Sequence, residues 1–388
     1  MDAGPLPPPT PPTPPQHLDQ IALLLQGGGA LGAYQAGVYE ALHEHGFEPD
    51  WVAGVSIGGI NGAIIAGNRP ENRLPRLRDF WSAITDRRTW PTLPIPDPWN
   101  GDDPRKLRNT WASTMALLFG QPGLFTPHWN PWFSLRGSPT ATSFYDTAPL
   151  RETLLRLIDF QVLNDRRMRY AAGAVNVVSG NFYYFDNADT EILPEHVMAS
   201  GALPPAFPMV QIGTDHYWDG GLVSNTPLQH LLEHLSCQSS LVFQVDLFSA
   251  LGPLPRDMHD VLAREKDIRY SSRTRLVTDY YLKRYEQDRR LKSLLDRMPE
   301  EKLTEEDRAL RERLHRLPQT TIMHLIYQQT AYEGQAKDYD FSAASMKEHW
   351  ASGYRDTART LRHGEWLGSS SETGITVHDV HRLERERR

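Results

Sequence analysis

The chain has 388 residues, a formal net charge of −7 and an isoelectric point near 6.1. That length leaves room for one large core or two medium ones, and the charge lacks the basic bias that nucleic-acid binding requires, so no nucleic-acid partner is expected. The single cysteine, Cys237, excludes an internal disulfide framework and a cysteine-built zinc site; it is expected to be a small loop or core residue in a reducing, cytoplasmic setting.

Residues 1–19 contain eight prolines and are expected to form a disordered or polyproline-like tail. They lack the positive n-region of a secretory signal, and nothing in the sequence approaches the roughly 18 uninterrupted apolar residues of a membrane span. Membrane contact, if any, is expected to be peripheral. The first strand is Ile21 to Leu25, followed by Gln26-Gly27-Gly28-Gly29-Ala30-Leu31-Gly32. A helix with Leu31, Tyr34, Val38 and Leu42 on one face comes next, closed near Gly46. A second strand, Trp51 to Val55, runs into Gly54-Val55-Ser56-Ile57-Gly58, and a second helix stops at Gly67-Asn68, before Pro70.

Residues 68–145 are proline-rich and hold six of the ten tryptophans: Trp81, Trp90, Trp99, Trp111, Trp129 and Trp132. Helical periodicity shows only near 74–84 and 105–119. Such an insertion serves as a lid or substrate wall, touches a lipid surface, or packs as an irregular subdomain; composition alone does not separate these. Further on, 149–158 read as a helix, 170–178 as a buried strand turning into Phe182-Tyr183-Tyr184-Phe185, and 194–202 as a short helix. Short strands at 210–212 and 217–218 lead into Asp219-Gly220-Gly221. Thr226-Pro227 reads as N-cap and first position of a helix, and 241–247 as another buried strand. Residues 256–317 read as long polar helices without a sustained heptad, 320–327 as a last strand, and 343–363 as a helix capped by Ser342. From 367 the chain is expected to be a flexible tail. Strands alternating with helices imply an α/β fold with a mostly parallel sheet.

Three stretches carry chemistry. Gly27-x-Gly29-x-x-Gly32 after a strand fits a dinucleotide fingerprint, but that site needs an acidic residue at the end of the second strand, where this chain has Ser56. Asp50 lies at the opposite edge. The remaining functional reading is an oxyanion pocket of backbone amides; the plain one is close helix–strand packing. Gly54-x-Ser56-x-Gly58 sits between strand and helix as a nucleophile elbow requires, and a helix N-cap serine would suit the position equally. A serine nucleophile needs a base. His216 is one candidate; Asp219, acting directly, is the other, and a simple Asp-Gly hairpin turn is the plain alternative.

Gly27-Gly28-Gly29-x-x-Gly32, Gly54-x-Ser56-x-Gly58 and Asp219-Gly220-Gly221, in this order, resemble the patatin-like phospholipases. Ala199-Ser200 through Phe207-Pro208 and Asn225-Thr226-Pro227 are similar as well. The resemblance spans roughly residues 20–235, and the remainder is similar to a bacterial subgroup with a C-terminal extension. It implies a three-layer α/β fold: a catalytic domain over 20–235 with an insertion at about 68–145, and an extension over 236–366 of strands and charged helices packed on the core. It also implies a Ser56–Asp219 dyad, an oxyanion hole from the amides of Gly27, Gly28 and Gly29, and supporting glycines at Gly32, Gly54, Gly58, Gly220 and Gly221. The expected reaction is hydrolysis of lipid carboxylic esters without metal or cofactor. A catalytically silent lipid-binding or scaffold protein is the alternative. Gln26 stands where many members carry Asp, and Leu31 where many carry Arg. Since an arginine there would favour an anionic head group, the resemblance carries ester hydrolysis further than it carries phospholipid.

Overall fold

Apolar side chains on both faces of the strands decide the layering. The computed structural model describes residues 14, 18–85, 102–235, 239–329, 333, 337–362 and 374–379. Cys237, Trp90, Trp99, most of the proline tail and the last nine residues lie outside them.

The chain opens with β1 (Gln20–Leu25), α1 (Ala33–Glu44), β2 (Trp51–Val55), α2 (Ile57–Ala66) and α3 (Pro70–Thr85). Pro70, read as a stop, also begins the next helix, where its missing N–H costs nothing. The insertion holds α4 (Asp102–Phe119) and a two-stranded ribbon, β3 (Thr126–Pro127) with β4 (Tyr145–Asp146). Next come α5 (Ala148–Leu157), α6 (Phe160–Asn164), β5 (Arg169–Asn176), β6 (Phe182–Asp186), α7 (Pro194–Ser200), β7 (Val210–Ile212) and β8 (Asp215–Asp219). The last third contains α8 (Leu228–Glu233), β9 (Ser239–Asp246), α9 (Met258–Arg297), α10 (Glu305–His315), β10 (Gln319–Ile326), α11 (Ala343–Arg362) and β11 (Ile375–Asp379).

Nine strands form one sheet in the order β11-β10-β9-β1-β2-β5-β8-β7, with β6 also on β5. The six from β11 to β5 are parallel; β6, β7 and β8 join by antiparallel pairing. Leu23 and Leu25 of β1 belong to a core shared with α1 and α2, whereas Ala22 and Leu24 join a second core with Leu228, Leu231, Tyr281 and Tyr285. Alternate residues thus feed opposite faces, and helices cover both, as a parallel sheet demands.

The sheet runs through the boundary near 235: β9 pairs with β1 along the length of β1 (Leu23↔Phe243) and continues the sheet into β10. α11 lies against α1 so closely that a methyl at Gly353 would sit 2.0 Å from the Tyr34 carbonyl oxygen. Two expectations are corrected. The expected tail contains β11, whose Ile375 is buried and whose ladder to β10 runs from Thr320↔Ile375 to His324↔Asp379. Finally, α8 begins at Leu228, not Pro227, and Thr226 does not cap it: its hydroxyl accepts from Gln26 Nε2 and donates to Asp246. Among the described residues, no helix is long and apolar enough to cross a membrane.

Candidate active site

Ser56 and Asp219 meet because two strands share one flank of β5. β2 occupies that flank up to Val55↔Gly173; β6 takes the other, from Ala171 to Val175. β8 enters on the β2 side from the opposite direction, with Asp219 against Ala174. The ends of β2 and β8 therefore face each other, one residue apart along β5, and Ser56 and Asp219 sit at the junction. Close approach requires Gly220, where a methyl would be 2.6 Å from the Gly173 carbonyl oxygen.

Ser56 has φ 56° and ψ −126°, a left-handed conformation that side chains other than glycine rarely adopt. Its N–H is held by Ser200, through the carbonyl oxygen at 3.1 Å and Oγ at 3.0 Å. Ser200 itself is fully buried. The Ser56 hydroxyl does not cap α2, which disposes of the N-cap reading; it shares a cavity wall with the Asp219 carboxylate and helps draw that group's pKa down. A methyl at Gly58 would lie 2.2 Å from the Leu25 carbonyl oxygen, so the elbow can press against the end of β1 only without a side chain there.

Asp219 is 2 % exposed and has no cation beside it among the described residues. Burial pushes its pKa up from 3.8 to about 7, against the opposing pull of hydrogen bonds from the Gly221 amide (2.7 Å) and the Ser56 hydroxyl. A carboxylate poised near neutrality and touching a serine hydroxyl can accept that proton at ordinary pH.

The glycine loop faces this pair. Asn225 clamps Gly27 at two points: its carbonyl accepts the Gly27 N–H (3.3 Å) and its Nδ2 donates to the Gly27 carbonyl (3.0 Å). The Gly27 amide, expected as an oxyanion donor, is thereby committed to structure. The amides of Gly28 and Gly29 open a 3₁₀ turn (Gly29–Gly32) and have no partner among the described residues. Gln26, buried, ties the loop to three other segments. Its Oε1 accepts from Leu247 N (2.6 Å) and Phe248 N (3.0 Å), and its Nε2 donates to Thr226 Oγ1 (3.1 Å) and the Tyr270 carbonyl (3.3 Å). An aspartate at this position could make none of the donations. Leu31 lies wholly in the core and does not line the cavity described below. Asp50, at the other end of the sheet, accepts the Ile21 N–H at 2.8 Å, which removes it from any ribose site.

These groups line a cavity whose walls are mostly apolar: Ile57, Ile60, Leu124, Phe125, Leu150, Met198, Leu203 and Phe207 from the first part of the chain, and Phe248 and Phe341 from the last. Tyr270, Asp338 and Tyr339 also border it. Two consecutive residues of α9 hold this last wall: Lys266 donates to Asp338 (2.8 Å), and Asp267 accepts from buried Lys337 (2.7 Å). The strap so fastened lies on Gly29, where a methyl would be 2.2 Å from the Asp338 carbonyl oxygen. Sequence reasoning missed this wall, and it named Ser200 and Asn225 only within similar stretches, without a role; a buried polar residue clamping backbone has no periodic signal. No histidine lines the cavity among the described residues; His216, facing Gln211 in the β7–β8 hairpin, is not part of it. Among those residues, no cluster of His, Cys, Asp and Glu could hold a metal ion.

Residues 23–232, more than half of the chain, match a family model described as patatin-like phospholipase, and residues 268–373 match a second described as patatin phospholipase. The chain belongs to the patatin-like phospholipase family. Similar relatives include patatin-like phospholipase domain-containing protein 6 of Mus musculus (44 % identical over 62 residues, 16 % of this chain and 5 % of that protein). Others are neuropathy target esterase sws of Drosophila melanogaster (32 % over 130 residues, 32 % and 8 %) and lysophospholipase nte1 of Aspergillus terreus (37 % over 81 residues, 19 % and 5 %). The chain spans less than a tenth of the length of each. Among solved structures, VipD of Legionella pneumophila aligns over 94 % of this chain and 72 % of its own, with TM-score 0.41 and 13 % identity. The patatin-like match ends within α8, and the second takes in the strap over the glycine loop, so both regions border one cavity.

Proposed function

We propose that this protein is a serine acyl hydrolase that cleaves carboxylic esters of lipids through a Ser56–Asp219 dyad. The observation that carries this reading is a strained, accessible Ser56 next to the buried Asp219 carboxylate, which has no cation beside it among the described residues, on the wall of an apolar cavity. In its ionised form Asp219 accepts the Ser56 proton as Oγ attacks the ester carbonyl carbon. The electron pair of the C=O bond moves to oxygen, where the amides of Gly28 and Gly29 receive it; a well-placed donor of this kind is worth about 3 kcal/mol. As the tetrahedral intermediate collapses, the C–O bond to the alcohol breaks and Asp219 returns the proton to the leaving oxygen. Water, deprotonated by the same carboxylate, then attacks the acyl-Ser56 ester; the C–O bond to Ser56 breaks, Asp219 returns the proton to Oγ, and the fatty acid leaves.

The apolar walls support an acyl chain as occupant, and with Leu31 buried no cation at that position selects a phosphate head group. Family membership and relatives named as an esterase and a lysophospholipase support ester chemistry on lipids. A fluorophosphonate probe tests the reading: it is expected to label Ser56, and a Ser56→Ala variant to take no label and hydrolyse no ester. Absence of label from the folded parent protein would favour a silent lipid-binding role.

A further inference from the structure

The β3–β4 ribbon carries a loop, residues 128–144, that is folded inside out. Its polar groups satisfy one another: Asn130 accepts the Trp132 N–H (3.1 Å), Thr140 donates to Ser134 (3.0 Å), and Ser138 bonds Thr140 (3.2 Å). Its large apolar side chains point to solvent instead: Trp129 is 89 % exposed, Trp132 82 %, Phe133 82 % and Leu135 84 %. Scattered exposed hydrophobics are ordinary; four held outward within seven positions by an ordered turn are a surface of contact.

Two independent observations identify what it contacts. The base of the loop is the cavity wall. Phe125, just before β3, lines the cavity, and the amides of Phe144 and Tyr145 donate to the carbonyls of Pro205 and Ala206, beside the cavity residues Leu203 and Phe207. The charge is also one-sided: the loop, residues 128–144, includes Arg136 and no Asp or Glu, in a chain of net charge −7. Tryptophan beside an apolar neighbour suits the boundary between lipid head groups and acyl chains, and local positive charge suits an anionic surface.

We infer that the 128–144 loop docks this enzyme on an anionic phospholipid bilayer, with Trp129, Trp132, Phe133 and Leu135 entering the interface beside the cavity. This rests on the proposed lipid-ester reading and adds the surface on which the enzyme meets its substrate. The test compares the parent chain with Trp129→Ser/Trp132→Ser in co-sedimentation with vesicles, either pure phosphatidylcholine or phosphatidylcholine with about one-third phosphatidylglycerol. The parent is expected to partition to the anionic vesicles at least about tenfold more than to the neutral ones, and to be released by about 0.5 M NaCl. The variant is expected to lose at least about tenfold of that partitioning while keeping its melting temperature and its turnover of a soluble short-chain ester within about twofold. Brominated lipid is expected to quench tryptophan emission in the parent and much less in the variant. Equal partitioning of parent and variant, equal affinity for neutral and anionic vesicles, or a parent dimer that the variant loses would each overturn the inference, the last assigning the loop to a second copy. Absent turnover of the soluble ester with vesicle binding intact would instead count against the hydrolase reading alone.

Discussion

The two ends of β5 hold two buried aspartates in opposite states. At its C-terminal end Asp219, against Ala174, has no cation beside it among the described residues and is pushed up to about 7 by burial. At the other end Asp186, against Ala171, is also buried. There burial would raise the pKa as well, but hydrogen bonds from His230 (2.9 Å) and Arg169 (3.0 Å), with the charge of Arg169, overcome it and draw the value down to about 2. The same residue type on the same sheet thus titrates near neutrality at one end and stays ionised well below it at the other. Burial alone does not make a base; burial without a compensating cation does.

Breaking the site end is expected to give the largest effects. Ser56→Ala should lower ester kcat/KM by roughly 10⁴-fold or more, with an unchanged circular dichroism spectrum. Asp219→Asn should cost roughly 10³- to 10⁴-fold, yet stabilise the protein. Between about pH 4 and 7 the folded protein holds a proton on Asp219 that the unfolded chain has released, so stability falls as pH rises through that window and stays lower above it. Chemical denaturation at about pH 8 should find the asparagine variant more stable by on the order of 3 kcal/mol, and at about pH 4 nearly equal to the parent. In the parent, kcat/KM should rise with pH through an apparent pKa near 7 as the base ionises.

Breaking the other end sharpens the contrast. Asp186→Asn should leave turnover per folded molecule intact and lower stability at neutral pH. The depressed pKa contributes stability that is present above about pH 4 and lost as pH falls through about 2. Because Arg169 reaches solvent, on the order of 1–2 kcal/mol is expected. The smallest effect belongs to His216→Ala: kcat/KM should stay within about twofold, since that ring is outside the cavity; a large loss would return the role of base to a histidine.

The first half of this site was legible because its chemistry is written in local patterns. Glycines flanking Ser56 and following Asp219 announce sharp turns, and apolar runs such as Ile21–Leu25 announce buried strands. What was not legible depends on distance in space. Nothing local in Lys266-Asp267 or Lys337-Asp338 says that the two dipeptides pair with crossed charges and set a strap on Gly29. Nothing in Asn225 says that it will occupy the Gly27 amide and reduce the available donors to Gly28 and Gly29. The β11 strand was hidden by brevity: five residues after a glycine- and serine-rich stretch read as tail until a partner ladder is known.

Insertion of β1 between β2 and β9 also governs how the chain reaches this state. The ladder to β2 can form as soon as the first units emerge, but the one to β9 waits for residues about 220 positions later. At roughly 5–20 residues per second of synthesis, that is an interval on the order of tens of seconds. Throughout it, an apolar strand ending in the glycine loop keeps one row of backbone donors and acceptors unpaired, a template for wrong pairing. Assembly of the Ser56 neighbourhood is therefore a late event, and holdase chaperones that bind extended apolar segments should matter to the yield of this protein more than to the lifetime of its finished form.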